Sequence, residues 1–532
     1  MKNESSNIWA KHTTQLIVVF AIVFVSFGSG CHTISPKLQD DYVRPGLGEG
    51  MCRVFDKYRQ SIPEKMAERK VPGLSIALVD RDGILWAAGF GYTDYSRKTP
   101  VTTDTLFSIC SMSKTITATA LMLAVQDGLV ELDVPIIEYL PQFTVNSQFE
   151  ENPEKKITLR NLMDHTSGLG YDVPVGNARE PSYGSCKESI LSLSDTWLRH
   201  KVGERWCYGS GPALATYIVQ VQSGQPYYKY LEDKVFTPLN MPNCSVDPEF
   251  IRNHPNRAVG HMLWPNVKQV PLAIDIPHCG GGAGVYANAR EMARFVQFHL
   301  NRGKVDGQTV LDESLITTMV TPSIRNKEYG LGTQIYRTKG DYYLLGHGGQ
   351  GLGFASEMWW FPKYEFGAVF LSNGERTDRR MLSKIFGDLI KENLIEKDES
   401  LERPSSEYLA PPPLPDPNTF TPFEPAWKKY IGTYKYAMSA WKFSTPARIA
   451  LALGITTSCT HVKVYEKDGY LYVNGYGRYL SDDGGRLDEH QPGLFFTPSG
   501  LCLDLRGPEL RWTNYRIKKV DNDTDRKFDI DL

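Results

Sequence analysis

Residues 105–130, TLFSICSMSKTITATALMLAVQDGLV, constrain this chain more than any other stretch, because they set a serine and a lysine three residues apart at the mouth of an apolar helix. Ile116, Ala120, Leu123 and Ala124 follow the 3,4 spacing of a helix with one buried face, and Gly128 stands where a C-terminal cap ends it. Ser111 and Lys114 then share one face of the first turn. A hydroxyl there meets unpaired backbone N–H groups and the positive end of the helix dipole, which favour the negative charge that develops in acyl transfer. The Lys114 amine, one turn along, can deprotonate that hydroxyl if partial burial lowers its proton affinity.

A chain of 532 residues exceeds one ordinary core, so at least two domains are expected. With 41% hydrophobic and 23% charged residues, the composition is that of a soluble globular protein. The net charge of -2 supplies no basic field for gripping nucleic acid, so no nucleic-acid partner is expected. No CxxC pair, HExxH or Walker-type loop occurs, which argues against structural zinc, zincin chemistry and nucleotide hydrolysis. No metal or other cofactor is expected.

The N-terminus reads as an export signal. Lys2 and Lys11 precede an apolar run over 16–27, about 12 residues, well short of the roughly 20 that span a bilayer. Gly28, Ser29, Gly30 and Cys31 follow, and this end resembles a bacterial lipoprotein signal with Cys31 as the lipidated residue. Gly28 departs from the usual Leu, which leaves an ordinary export signal or a short uncleaved anchor open. The lipoprotein reading implies a periplasmic or cell-envelope location and a membrane attachment through the lipid. It also leaves Cys52, Cys110, Cys186, Cys207, Cys244, Cys279, Cys459 and Cys502 as an even set in an oxidising compartment. Disulfides, or buried thiols acting as small apolar residues, both fit that set.

The expected organisation is a signal segment over 1–31, a tether over 32–49, a hydrolytic domain over 50–403, a Pro-rich linker over 404–426 and a small β-barrel over 427–532. Residues 50–70 read as helix, and LSIALVDRDG with ILWAAGFGYTD reads as a hairpin turning at Asp82-Gly83. In ITLRNLMDHTSGLGYD, His165 reads as a histidine that fixes a loop rather than a catalytic one. Tyr208-Gly209-Ser210 offers a phenol and a hydroxyl from one turn, before a helix that begins near Pro212. The glycines over 279–284 read as a close approach between a strand and its neighbour. His347-Gly348-Gly349 ends the first of three apolar runs over 342–373, which read as antiparallel edge strands. The glycines there let a backbone N–H approach a bound carbonyl, and His347 adds a donor or a cation. Pro411-Pro412-Pro413 stiffens the linker, and five strand-like runs follow it.

An SxxK pattern also occurs at Ser439 and Lys442, so the pattern is not specific by itself. The order of serine helix, YxS turn and HGG strand is more telling. With FSICSMSK, ITLRNLMDHTSGL, YGSGPALATYIVQVQSGQ, VFTPLNM, AREMARF and LGHGGQGLGF, the chain resembles the serine β-lactamase and penicillin-binding protein superfamily. Within it, the closest likeness is to the class C β-lactamase-like hydrolases that include D-aminopeptidases, D,D-carboxypeptidases and esterases. The resemblance implies an α+β fold: a mixed antiparallel sheet flanked by helices plus an all-helical part, with a small lipocalin-like barrel appended. It makes Ser111 the nucleophile, Lys114 its activating partner and Tyr208 the base and acid. Ser111 and Gln350 would supply the oxyanion N–H groups, with Ser210, His347, Gly348 and Gly349 lining the substrate. Whether Lys114 or Tyr208 takes the first proton stays open.

Two departures from the family pattern matter. Ser210 stands where Asn is usual, and His347-Gly348-Gly349 replaces the Lys-Thr-Gly of class C lactamases. Ser210 is a shorter group than Asn and is not expected to reach the substrate amide or Lys114. His347-Gly348-Gly349 looks like the peptidase, amidase and esterase branch, which implies a small-molecule or peptide substrate, with D-residues or related groups, rather than efficient antibiotic hydrolysis. A true β-lactamase and a non-catalytic penicillin-recognising envelope protein are the alternatives.

Overall fold

The computed structural model describes residues 38–520 except 95, 97, 177–184, 265–266, 272–279, 338–342, 352, 375–380, 393, 396–404, 437–460 and 475–484. The signal segment, Cys31, Cys279, Cys459 and residues 446–455 lie outside the described residues.

The first unit is built on a seven-stranded sheet. Strands β1 (Leu38–Val43), β2 (Gly73–Asp80) and β3 (Gly83–Gly91) come from the start of the chain, with helix α1 (Glu49–Arg69) between β1 and β2. The hairpin at Asp82-Gly83 forms as expected. Asp80 closes it by accepting the N–H groups of Asp82 and Gly83 at 2.9 and 3.0 Å, and it pairs with Arg44 at 2.6 Å. Further on come helices α2 (Ser113–Gln126), α3 (Leu159–Met163), α4 (Gly211–Ser223) and α5 (Ala289–Leu300). Then follow strands β4 (Gln334–Arg337), β5 (Tyr343–Gly351), β6 (Phe354–Phe361) and β7 (Phe366–Ser372), and helix α6 (Met381–Lys391). The strand order is β1-β3-β2-β7-β6-β5-β4, and every neighbouring pair is antiparallel.

Both faces of this sheet are covered, so its central strands read as apolar runs rather than clean alternation. On one face Leu74, Ile76, Leu78 and Trp86 meet Phe55, Ile62 and Met66 of α1 and Ile385, Phe386 and Leu389 of α6. On the other, Ala77, Val79 and Ala87 meet Phe295, Val296 and Phe298 of α5 and the helical part. Three expectations change here. Residues 38–43, expected as tether, form an edge strand; its polar sequence hides this, because Asp41 accepts the Trp86 indole N–H at 2.8 Å and Asp40 accepts the Thr103 hydroxyl at 2.7 Å. The runs over 342–373 are not edge strands, since β6 and β7 are interior and β4 takes the edge. Helix α2 has more than one buried face, because every residue from Ser113 to Ala124 is buried.

The second unit holds eight strands: β8 (Gly432–Tyr436), β9 (His461–Lys467), β10 (Tyr470–Asn474), β11 (Asp488–Gln491), β12 (Leu494–Phe496), β13 (Cys502–Asp504), β14 (Leu510–Trp512) and β15 (Tyr515–Lys519). Their order is β10-β9-β8-β15-β14-β13-β12-β11. The sheet nearly closes, because Val473 N–H reaches Gly485 C=O at 3.0 Å and Leu487 N–H reaches Leu471 C=O at 2.8 Å. Trp427, Tyr434, Val464, Leu471, Phe495, Leu503 and Trp512 fill its interior. Strands β8 and β11 escape the sequence reading; β11, Asp-Glu-His-Gln, has no apolar residue to mark it.

Among the described residues both readings of the cysteines occur. Cys52, Cys110, Cys207, Cys244 and Cys502 are thiols, and Cys186 is disulfide-bonded. Cys110, Cys244 and Cys502 are buried and pack as small apolar residues, and burial holds the Cys244 and Cys502 thiols well above their ordinary titration range.

Phe55 is fully buried and stacks on Trp86 with ring centroids 5.3 Å apart, which makes it the anchor of α1 on the sheet. Phe55→Ala is expected to cost about 3–5 kcal/mol. A fall in the urea midpoint of the transition followed by tryptophan fluorescence measures it.

Candidate active site

Ser111 lies in a single 3-10 turn, Cys110–Met112, that feeds directly into α2. Cys110 takes a left-handed backbone, φ 49°, which turns the chain sharply just before the serine. Lys114 follows in the first turn of α2 and is 5% exposed. Its Nζ donates to Ser111 Oγ at 3.3 Å and to the Gly282 carbonyl at 2.6 Å. Burial lowers the proton affinity of this amine from 10.5 to about 7, with Asp172 and the Cys110 thiol acting the other way. Gly282 was not among the expected site residues, and only the glycine run marks it. That run serves a helix rather than a neighbouring strand: a Cβ at Gly281 would fall 1.6 Å from Thr216 Oγ1 of α4.

Tyr208 brings its ring face to within 4.7 Å of Lys114 Nζ. Burial holds the phenol well above its ordinary range, and the Ser111 hydroxyl acts against that. The turn carrying Tyr208 is fixed by an ordered chain of hydrogen bonds. Gly209 N–H donates to His165 Nδ1 at 3.3 Å, and His165 Nε2 meets Tyr329 Oη at 3.2 Å. Tyr329 Oη meets His347 Nε2 at 3.1 Å, and His347 Nδ1 meets the Gly348 carbonyl at 2.6 Å. A backbone N–H can only donate and a carbonyl can only accept, so both ends are set. His165 then carries its proton on Nε2 and is neutral, and His347 carries a proton on Nδ1. Burial holds His165 well below its ordinary range, in keeping with this assignment.

His165 therefore fixes a loop, and its Gly209 bond names the loop. His347 differs from expectation. It was expected to offer a donor or cation to substrate, but it is 1% exposed and both ring nitrogens are engaged within the protein. The backbone of β5 is what approaches Ser111. A Cβ at Gly349 would fall 2.3 Å from the Ile109 carbonyl and 3.0 Å from the Cys110 Cβ, so only glycine lets the strand lie this close. Gln350, the next residue, is exposed beside the half-buried Ser111. Ser210 is buried; its N–H donates to the Gly170 carbonyl at 2.8 Å, while its hydroxyl finds no partner among the described residues and does not reach Lys114. The Gly282 carbonyl holds the amine instead. Tyr329 was missed altogether, since a tyrosine before Gly330-Leu331-Gly332 carries no signal of its own.

Tyr329→Phe removes the hydroxyl that both buried imidazoles contact at the centre of the chain. It is expected to cost about 1–3 kcal/mol of stability. Urea denaturation measures this, and an unchanged midpoint would contradict the network.

Residues 58–388 match the Beta-lactamase family. Beta-lactamase-like protein 2 of Dictyostelium discoideum is 24% identical over 332 residues, which are 60% of this chain and 59% of that protein, so the chain spans less than two thirds of this relative's length. The octameric penicillin-binding protein homologue from Pyrococcus abyssi superposes with a TM-score of 0.56 at 21% identity, over 87% of this chain and 99% of that one. EstCE1, a hydrolase with promiscuous acyltransferase activity, superposes with a TM-score of 0.52 at 17% identity, over 64% of this chain and 98% of that one. At these identities the two structures speak for the fold alone. The family match spans the serine helix, the YxS turn and the HGG strand together, and on it the chain belongs to the Beta-lactamase family.

Proposed function

We propose that this protein is an exported serine hydrolase that forms an acyl-enzyme on Ser111 and cleaves a peptide, amide or ester bond in small substrates, D-amino-acid-containing ones foremost. The observation that carries this reading is the 3.3 Å contact between Ser111 Oγ and an amine whose proton affinity burial lowers to about 7. A neutral Lys114 takes the Ser111 proton as Oγ attacks the carbonyl carbon. The N–H groups of Ser111 and Gln350 receive the oxyanion. Tyr208, still a phenol, protonates the leaving amine or alcohol as its bond to the carbonyl carbon breaks, and the Lys114 ammonium returns a proton to Tyr208. Water then attacks the acyl carbon by the same route in reverse. The proton affinities support this order, because that of Lys114 is lowered and that of Tyr208 raised.

Incubation with a fluorophosphonate, read by intact mass, tests the nucleophile: one adduct is expected in the parent and none in Ser111→Ala. Lys114→Ala is expected to slow labelling at least about 100-fold. In the parent the labelling rate rises with pH as Lys114 loses its proton, with a midpoint at about 7. Penicillin is expected to label slowly and stoichiometrically; rapid nitrocefin turnover would favour the lactamase reading instead.

The same reading places the chain at the bacterial envelope through a lipid on Cys31. Incorporation of a labelled fatty acid is expected in the parent chain and lost in Cys31→Ala. No label in the parent would leave an ordinary export signal.

A further inference from the structure

The barrel touches the hydrolytic unit at the two segments that flank Tyr208-Gly209-Ser210. At one, the turn between β14 and β15 presents Asn514, 4% exposed, whose Nδ2 donates to the Asp172 backbone carbonyl. The Tyr515 hydroxyl donates to Asp172 Oδ2 at 2.7 Å. Two residues back, the Gly170 carbonyl accepts the Ser210 N–H at 2.8 Å, and the Tyr171 ring lies 6.0 Å from that of Tyr208. At the other segment, Arg199 donates to the Ser499 carbonyl at 3.2 Å and to Cys207 Sγ, while Trp197 meets Phe496 edge-on at 5.5 Å. Spacers do not need to hold a carboxylate that belongs to an active-site loop.

We propose that the barrel completes the active site, with Tyr515, on the carboxylate, and Asn514, on the backbone carbonyl, acting as positioning residues that hold Asp172 toward Lys114. The inference rests on the Ser111 and Lys114 chemistry proposed above. Asp172 and the Cys110 thiol favour the charged amine, and the Tyr208 ring covers it at 4.7 Å. His165 stands nearby and is held neutral, and His347 lies behind Tyr329. Asp172 favours the ammonium at Lys114 against burial, and its backbone carbonyl and carboxylate are bonded by Asn514 and Tyr515 of the barrel.

The test is the pH dependence of fluorophosphonate labelling in the full-length chain, with thermal melting as the check on folding. Removing the Asp172 charge lowers the proton affinity of Lys114 further. Asp172→Asn is therefore expected to move the midpoint to lower pH by roughly one unit. Tyr515→Phe and Asn514→Ala are expected to move it the same way by less, and to slow labelling about 10-fold. The double variant Tyr515→Phe with Asp172→Asn is expected to move no further than Asp172→Asn, since Tyr515 acts through that carboxylate. Midpoints unmoved in folded Tyr515→Phe and Asn514→Ala would overturn the inference while leaving the Ser111 chemistry standing. If Tyr515→Phe does not fold, Asp172→Asn decides, and an unmoved midpoint there overturns it. A parent chain that takes no label overturns both readings together.

Discussion

The direction of one hydrogen-bond chain governs the site. It begins at Gly209 N–H and ends at the Gly348 carbonyl, and two histidines and a tyrosine fill the interval. Because the ends are backbone groups of fixed character, His165 Nδ1 must accept and His347 Nδ1 must donate. A proton added to His165 would set two donors against each other at Gly209, in surroundings where an unpaired polar group is costly. The chain ties four stretches that are far apart in sequence: the loop after α3, the YxS turn, the segment at Tyr329 before β4, and strand β5. Tyr208 rests on it directly, its ring 4.4 Å from that of His165.

Helix α2 is located by a similar device. A helix buried from Ser113 to Ala124, with three threonines and a lysine inside that span, would be unstable unless each polar group found a partner. Thr115 donates to the Gly332 carbonyl at 2.7 Å, Thr117 to the Gly281 carbonyl at 2.7 Å and Lys114 to the Gly282 carbonyl at 2.6 Å. All three acceptors are glycine carbonyls, where the chain comes close enough to the helix to be reached. The bonds that satisfy the helix interior also fix the amine beside Ser111, so packing and chemistry share one set of contacts.

Much of this was legible in the sequence, and the gaps have physical causes. Ser111, Lys114, Tyr208 and the HGG strand stand in motifs whose residue types the chemistry demands, and the structure brings them together. The hairpin at Asp82-Gly83 and the helix before it follow from turn residues and periodicity. The full burial of α2 around its threonines was not legible, because nothing local tells a satisfied buried hydroxyl from an exposed one. Strand β1 reads as tether because an edge strand held by Asp40 and Asp41 needs no apolar stripe. Tyr329, Gly282 and Asp172 act through partners from 18 to 343 residues away, and single-sequence spacing does not encode such partners.

The state of Lys114 shows what the fold gives up for this arrangement. Its affinity falls from 10.5 to about 7 in a group only 5% exposed, a difference on the order of 5 kcal/mol. The unfolded chain takes up that proton as pH falls below 10.5, while the folded chain does so only near 7. Stability on this account therefore declines across that window and is flat below it. Near neutral pH the protein carries nearly the whole penalty, and in the proposed reaction that is where a lysine poised between its two forms serves Ser111 best. Asp172 limits the penalty by favouring the ammonium, and too strong an influence would leave no neutral amine to act as base. The position of one carboxylate thus balances stability against reactivity, and that carboxylate is held by the barrel.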